Sequence, residues 1–224
     1  MTGNDRLFFQ HCYQLRLVRS PLLEIGAAKV QSGIQNICDL ARSLGIDSVV
    51  GVDLCEGPGV DFIFDFSIDS VNFSKTWSRG FFSTVAIFNV LEHTFDPLVV
   101  LQNALNIVEP GGTVLVVTPA IWPIHNYPAD YVRLLPNWYE EFAKRNGITL
   151  VPDTFCWLSE FGITRIHNLV MDKNYVFPSF LNLGKASSSW RYWISRIVHR
   201  VFNTYGRSHS FTHNAIGAAF HVPQ

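Results

Sequence analysis

From Leu22 onward the chain alternates between short, almost wholly apolar runs and longer stretches in which apolar side chains return every three or four positions. Leu22-Leu23-Glu24-Ile25-Gly26, stopped by its glycine, predicts a buried parallel strand. Beyond Ser32, the residues Ile34, Ile37, Cys38, Ala41 and Leu44 recur at helical spacing until Gly45. Ser48–Asp53 and Val60–Asp65 predict two further strands, separated by the turn Glu56-Gly57-Pro58-Gly59. Phe82–Asn89 predicts a fourth. Asp96 and Pro97 then open a helix expected to bury Leu98, Leu101, Leu105 and Val108 and to stop at Pro110-Gly111-Gly112. Thr113–Thr118 is a fifth strand. Pro136 opens another helix, with Glu140 and Lys144 paired one turn apart and Gly147 at its end. Ile148–Val151 and Ala215–Val222 complete seven strands, and a flanking helix over 5–19 precedes them all.

Strands alternating with helices predict a doubly wound α/β fold, a mostly parallel seven-stranded sheet with helices on both faces. The 224 residues suit a single domain. Residues 160–214 form an insertion before the last strand, expected to be helical. Within it Trp190, Trp193, Ile194, Ile197, Val198, Val201 and Phe202 make an apolar stripe, with Arg191, Arg196, His199 and Arg200 off it. This basic amphipathic segment, 189–203, reads as a lid over a cleft. Core packing, a homodimer contact and a membrane-surface helix are the other readings of such a stripe.

Composition narrows the field. With 48% hydrophobic and 16% charged residues the chain can build a core, which excludes a disordered polymer. Its formal charge of −1 lacks the basic field of a nucleic-acid binder. The balance is uneven, however: all acidic residues lie at or before Asp172, and six basic ones follow it. The basic tail suits an anionic acceptor. Cys12, Cys38, Cys55 and Cys156 show no metal-ligand spacing and read as buried free thiols. No basic-then-apolar leader opens the chain, and Pro110, Pro119, Pro123 and Pro128 interrupt its longest uncharged stretch. The expectation is a cytoplasmic protein.

Ligands of open α/β sheets sit beyond the carboxyl ends of the strands. Glu24, Gly26, Asp53, Asp65 and Asn89 stand there. A carboxylate such as Asp53 can accept both hydroxyls of a ribose, or it can simply cap its turn. Taken in order, these pieces resemble the class I, Rossmann-like S-adenosylmethionine-dependent methyltransferases over roughly residues 20–151 and the final strand. Leu23-Glu24-Ile25-Gly26 is similar to the first motif, at the methionine end of the cofactor. Gly51-Val52-Asp53 is similar to the second, with Asp53 on the ribose. Asp65-Phe66 matches the pair that meets the adenine. Asn89-Val90-Leu91-Glu92-His93 resembles the motif after the fourth strand, and Glu109-Pro110-Gly111-Gly112 the turn before the fifth. The resemblance implies S-adenosylmethionine as cofactor, with Glu24, Gly26, Asp53, Asp65, Phe66 and Asn89 around it. One departure stands out: Ala28 and Val30 replace the second and third glycines of the first loop. Either the loop takes another course, using Gly33, or affinity is reduced, and a non-catalytic scaffold becomes the alternative function. A nicotinamide cofactor is disfavoured, because its pyrophosphate needs those glycines.

The segment Pro123–Arg133 packs an imidazole, a carboxylate, two phenols and a guanidinium after the fifth strand. It resembles an H-x-x-P-x-D-Y-x-R loop of members that modify glycans and small metabolites. The resemblance implies an O-methyltransferase of a sugar or small metabolite. His125 is the candidate base, since methyl transfer to oxygen must remove one hydroxyl proton. His93, Tyr127, Asp130, Tyr131 and Arg133 are the candidate acceptor contacts. The bland alternative has Asp130 and Arg133 pinning the loop while His125 bonds backbone. The remaining histidines show no ligand spacing, and no metal is assigned.

Overall fold

A computed structural model describes residues 1–29, 35–68, 75–125, 129–159, 162–166 and 215–224. Val30, Gly33, Tyr127 and the 189–203 stripe lie outside them. The chain divides into two compact units, His167–Thr212 and the remainder, and the described residues belong to the latter.

Strands β1 (Leu22–Ile25), β2 (Val49–Asp53), β3 (Phe62–Ile63), β4 (Phe82–Phe88) and β5 (Val108–Pro119) are joined by parallel pairing in the order β3-β2-β1-β4-β5. β9 (Ala215–His221) lies antiparallel to β5. β7 (Cys156–Ser159) and β8 (Gly162–Arg165) continue the sheet beyond it, and β6 (Thr149–Leu150) also pairs with β9. Every residue of β1 and β4 is buried, which explains their unbroken apolar runs. The chain winds outward from β1 to β3, then returns to place β4 on the other side of β1. That reversal opens a crevice at the carboxyl ends of β1 and β4.

Helices α1 (Gly3–Gln14) and α2 (Ile37–Ser43) bring Phe8, Phe9, Cys12, Ile37 and Leu40 onto a core shared with Leu22, Ala86, Phe88 and Leu115. On the other face, Tyr139 and Phe142 of α4 (Pro136–Asn146) pack on Phe220 of β9. α1 is pressed hard onto the sheet, since a Cβ at Gly217 would stand 2.5 Å from the Phe8 ring.

Several expectations need correction. Among the described residues the sheet has nine strands, and Gly162–Arg165 makes the start of the 160–214 insertion a strand rather than a helix. α3 (Pro97–Ile107) is capped by Asp96 as expected, but buries Val100, Leu101, Ala104 and Ile107. Leu98 stays exposed: eight of the eleven positions of that helix are apolar, more than one face can bury, and the polar Asn103 is buried with the chosen face. β5 begins at Val108, so Pro110-Gly111-Gly112 lies within the strand. The ion pair on α4 joins Glu141 to Arg145 at 2.7 Å rather than Glu140 to Lys144. Cys55 is exposed, whereas the other three thiols are buried. Among the described residues, no helix is long and apolar enough to cross a membrane.

Glu24 is the charge-bearing side chain of β1. Its two oxygens accept the N–H groups of Ile37 and Cys38, at 2.9 and 2.8 Å, at the start of α2. Burial pushes its carboxyl up to about 7, and the two backbone donors offset only part of that. A carboxyl raised in the folded state holds its proton more tightly than in the unfolded chain, so stability falls as pH rises from the ordinary carboxylate range to about 7. Denaturation at pH 5 and pH 8 should therefore show a loss of about 2–3 kcal/mol from this group. Glu24→Gln should remove most of that difference. An equal loss in both proteins would mean that Glu24 ionises as an ordinary carboxylate.

Candidate functional site

The carboxyl ends of β1, β2 and β4 define the crevice. Gly26 follows β1 with φ +85, and a Cβ there would stand 2.3 Å from Val90 Cγ2. Glycine is required twice over, for the left-handed backbone and for the close approach of the β4 loop. Ala28 keeps a negative φ: Arg16 and Asn89 are the non-glycine residues with positive φ among those described. Its N–H donates to Asp53 Oδ2 at 2.9 Å, tying the first loop to the end of β2. Asp53 Oδ1 takes the N–H of Leu54 at 2.7 Å. Oδ1 also takes the Cys55 N–H at 3.5 Å, so the half-buried Asp53 keeps its free lone pair on Oδ2. Glu24, by contrast, is committed to α2.

Asp65 is exposed beyond β3 and accepts the Ser67 N–H and hydroxyl in a local turn. Phe66 is turned inward: its ring packs against Phe64 and Trp77, and its carbonyl accepts from Asn103 Nδ2 at 2.9 Å. Asn89 adopts φ 55, a conformation asparagine tolerates better than most residues. Its Nδ2 donates to Asp5 Oδ1 at 2.9 Å, while Asp5 Oδ2 accepts the Thr2 N–H in the capping box of α1. One buried carboxylate therefore fastens α1 to the end of β4.

The 3₁₀ turn Leu91–His93 and the loop after β5 come together beside this crevice. His93 Nδ1 lies 2.5 Å from the Ala129 carbonyl, and its ring stands edge-on to His125 with centroids 4.9 Å apart. Asp130 organises the loop. Its side chain is 2% exposed and receives both Arg133 Nη atoms and the His125 N–H, the last at 3.0 Å. The Arg133 guanidinium holds the Asp130 carboxyl well below the usual range. Arg133 also reaches the carbonyls of Trp122 and Pro123. Asp130 and Arg133 thus have the geometry of a pin. His125 sits on that pinned loop, 35% exposed, with Nδ1 3.2 Å from Asp130 Oδ2. Tyr131 lies at the surface, edge-on to the 88%-exposed Phe95.

Sequence reasoning passed over Glu92. Its side chain is 1% exposed, neither oxygen has a hydrogen-bond partner, and burial pushes its carboxyl up to about 7. The signal available was its place immediately before His93 in the quoted motif.

Fold, crevice and strand-end residues define a Rossmann-like transferase of the class I methyltransferase kind. The methyltransferase domain family matches residues 9–167, and the chain belongs to that family, whose members use S-adenosylmethionine. A ubiquinone biosynthesis O-methyltransferase of Xanthomonas campestris pv. campestris is 32% identical over 88 residues, covering 36% of this chain and 37% of that protein. The match thus spans little more than a third of either sequence. A SAM-dependent methyltransferase from Archaeoglobus fulgidus shares the fold with a TM-score of 0.55 at 14% identity, covering 98% and 94% of the two chains. The S-adenosylmethionine complex of Haemonchus contortus phosphoethanolamine N-methyltransferase 2 gives 0.52 at 16% identity, over 96% of this chain and 52% of that one.

Proposed function

We propose that this protein transfers the methyl group of S-adenosylmethionine to an oxygen of a sugar or related small metabolite. The observation that carries this reading is the placement of Gly26, Asp53 and Asn89 beside the His93–His125 pair along one edge of the sheet. The residues present fit the cofactor: Gly26 leaves backbone free of a side chain where the loops meet, and Asp53 Oδ2 keeps acceptor capacity for a ribose hydroxyl. Asp65, at the next strand end, is exposed for further contact. When bound, S-adenosylmethionine supplies an electrophilic methyl group on sulfur. The protein's own part is to hold the acceptor oxygen in line with that group and to exclude competing geometries. His125 takes the hydroxyl proton as the new oxygen–carbon bond forms, while Asp130 fixes the loop that carries it. Tyr131 and Phe95 offer two exposed aromatic rings, set at right angles, against which a ring-shaped acceptor can pack. The curated relative's action on oxygen supports the same choice of atom. A cytoplasmic setting and an anionic acceptor belong to this reading as well.

Calorimetry with S-adenosylmethionine and S-adenosylhomocysteine tests the cofactor site. Asp53→Ala should weaken binding roughly tenfold to a hundredfold, the value of about 1.5–3 kcal/mol in charge-assisted hydrogen bonds. No binding by the native chain at about 1 mM, or unchanged affinity in a folded Asp53→Ala variant, would overturn the assignment. One observation favours a second reading, a non-catalytic binding protein: both Asp53 oxygens already accept backbone donors. Transfer of a labelled methyl group into any acceptor from a metabolite pool eliminates it.

A further inference from the structure

We propose that Glu92, His93 and His125 form a binding site for a divalent transition-metal cation, which goes beyond the methyl-transfer reading. The three side chains each bring one donor atom to a common point, with all three atoms within 4.8 Å of one another. They come from two loops, Glu92 and His93 after β4 and His125 after β5, which is why linear spacing did not assign a metal.

The hydrogen bonding around the cluster supplies the second observation. Both Glu92 oxygens are buried and unpartnered, and an uncompensated carboxylate in that position is costly. A backbone carbonyl can only accept, so the contact with Ala129 puts the His93 proton on Nδ1 and leaves a lone pair on Nε2. That lone pair lies 3.7 Å from Glu92 Oε1. The two atoms are too far apart to share a proton. A cation with bonds of about 2.0–2.2 Å spans that gap with only a small movement of the side chains. His125 brings the third donor, its ring held with Nδ1 3.2 Å from Asp130 Oδ2.

The surroundings match what a metal site needs. A backbone carbonyl at His93 and a carboxylate at His125 are the outer partners that orient ligating imidazoles. Two imidazoles and one carboxylate suit zinc, iron, cobalt or manganese better than magnesium or calcium, which prefer oxygen donors throughout. Three protein donors leave at least one position for water or an acceptor oxygen. A bound cation would take His125 as a ligand and would lower the pKa of a hydroxyl held at the open position.

The test is a zinc chloride titration of the chelator-treated full chain by calorimetry, with folding of each variant followed by circular dichroism. One zinc per chain is expected, with affinity about 10–100-fold weaker in both Glu92→Gln and His125→Ala. Bound Co²⁺ should add visible absorption that both substitutions abolish. Should Glu92→Gln fail to fold, the partly exposed His125→Ala variant carries the comparison. Equal affinity and stoichiometry in the native chain and the variants would place zinc on other histidines and overturn the proposal. So would the absence of zinc binding by the native chain, or its displacement by equimolar magnesium.

Discussion

Asp130→Ala is expected to lower the free energy of unfolding at pH 7 by about 3 kcal/mol and to abolish turnover. The substitution strips Arg133 of its bidentate partner and leaves the His125 N–H without an acceptor. Removing one member of this part-buried pair costs more than the pair contributes, because the partner's charge stays behind. The native Asp130 carboxyl is held below its ordinary range, so its stabilising contribution is complete above that range and disappears only as the pH falls into strong acid. The penalty measured for Asp130→Ala should shrink accordingly in acid. Cofactor affinity should change little, since no contact joins Asp130 to Gly26, Asp53 or Asn89 among the described residues. A variant of native stability that loses cofactor binding instead would show the loop's pin to lie elsewhere.

Gly26→Ala should be at least as damaging, and to a different property. An alanine held at φ +85 costs about 1–2 kcal/mol, and its Cβ would meet Val90 Cγ2 far inside contact distance. Together the two effects predict a loss of about 2–4 kcal/mol in stability. The β1 and β4 loops must separate to admit the methyl group, so S-adenosylmethionine affinity should fall more than about a hundredfold. Pairing Gly26→Ala with Val90→Ala relieves the clash but not the backbone strain, and should restore only part of the stability. Native affinity in the single variant would show that the cofactor does not depend on this crevice.

The predicted strands that the structure matches best are the ones buried on both faces. Phe82–Asn89 reads as a strand because a central parallel strand offers no solvent face to interrupt its apolar run. Cys156–Ser159 and Gly162–Arg165 escaped because, unlike the equally short Leu22–Ile25, neither carries a run of aliphatic side chains ended by a glycine. The face of α3 escaped for the opposite reason, an excess of apolar positions. At the site, the strand-end residues Gly26, Asp53 and Asn89 were legible through their order along the chain. Glu92 was marked only by its place before His93, which does not announce that its carboxylate will be buried without a partner. The meeting of His93 with His125 was hidden too, because it depends on how two loops fold over adjacent strands.

The position of β9 bears on how the protein is made. Ala215–His221 lies between β5 and β7, pairs with β6 as well, and carries six successive buried residues. During synthesis, β1 to β5 emerge long before this strand exists. Until Ala215–His221 has been translated, β5 presents a long apolar edge with unsatisfied backbone groups, and the β7–β8 hairpin has no neighbour to join. The nascent chain therefore passes through a stage with an open, adhesive sheet edge. Slow elongation through residues 167–214 prolongs that exposure, and a chaperone that shields strand edges has its greatest effect in that interval.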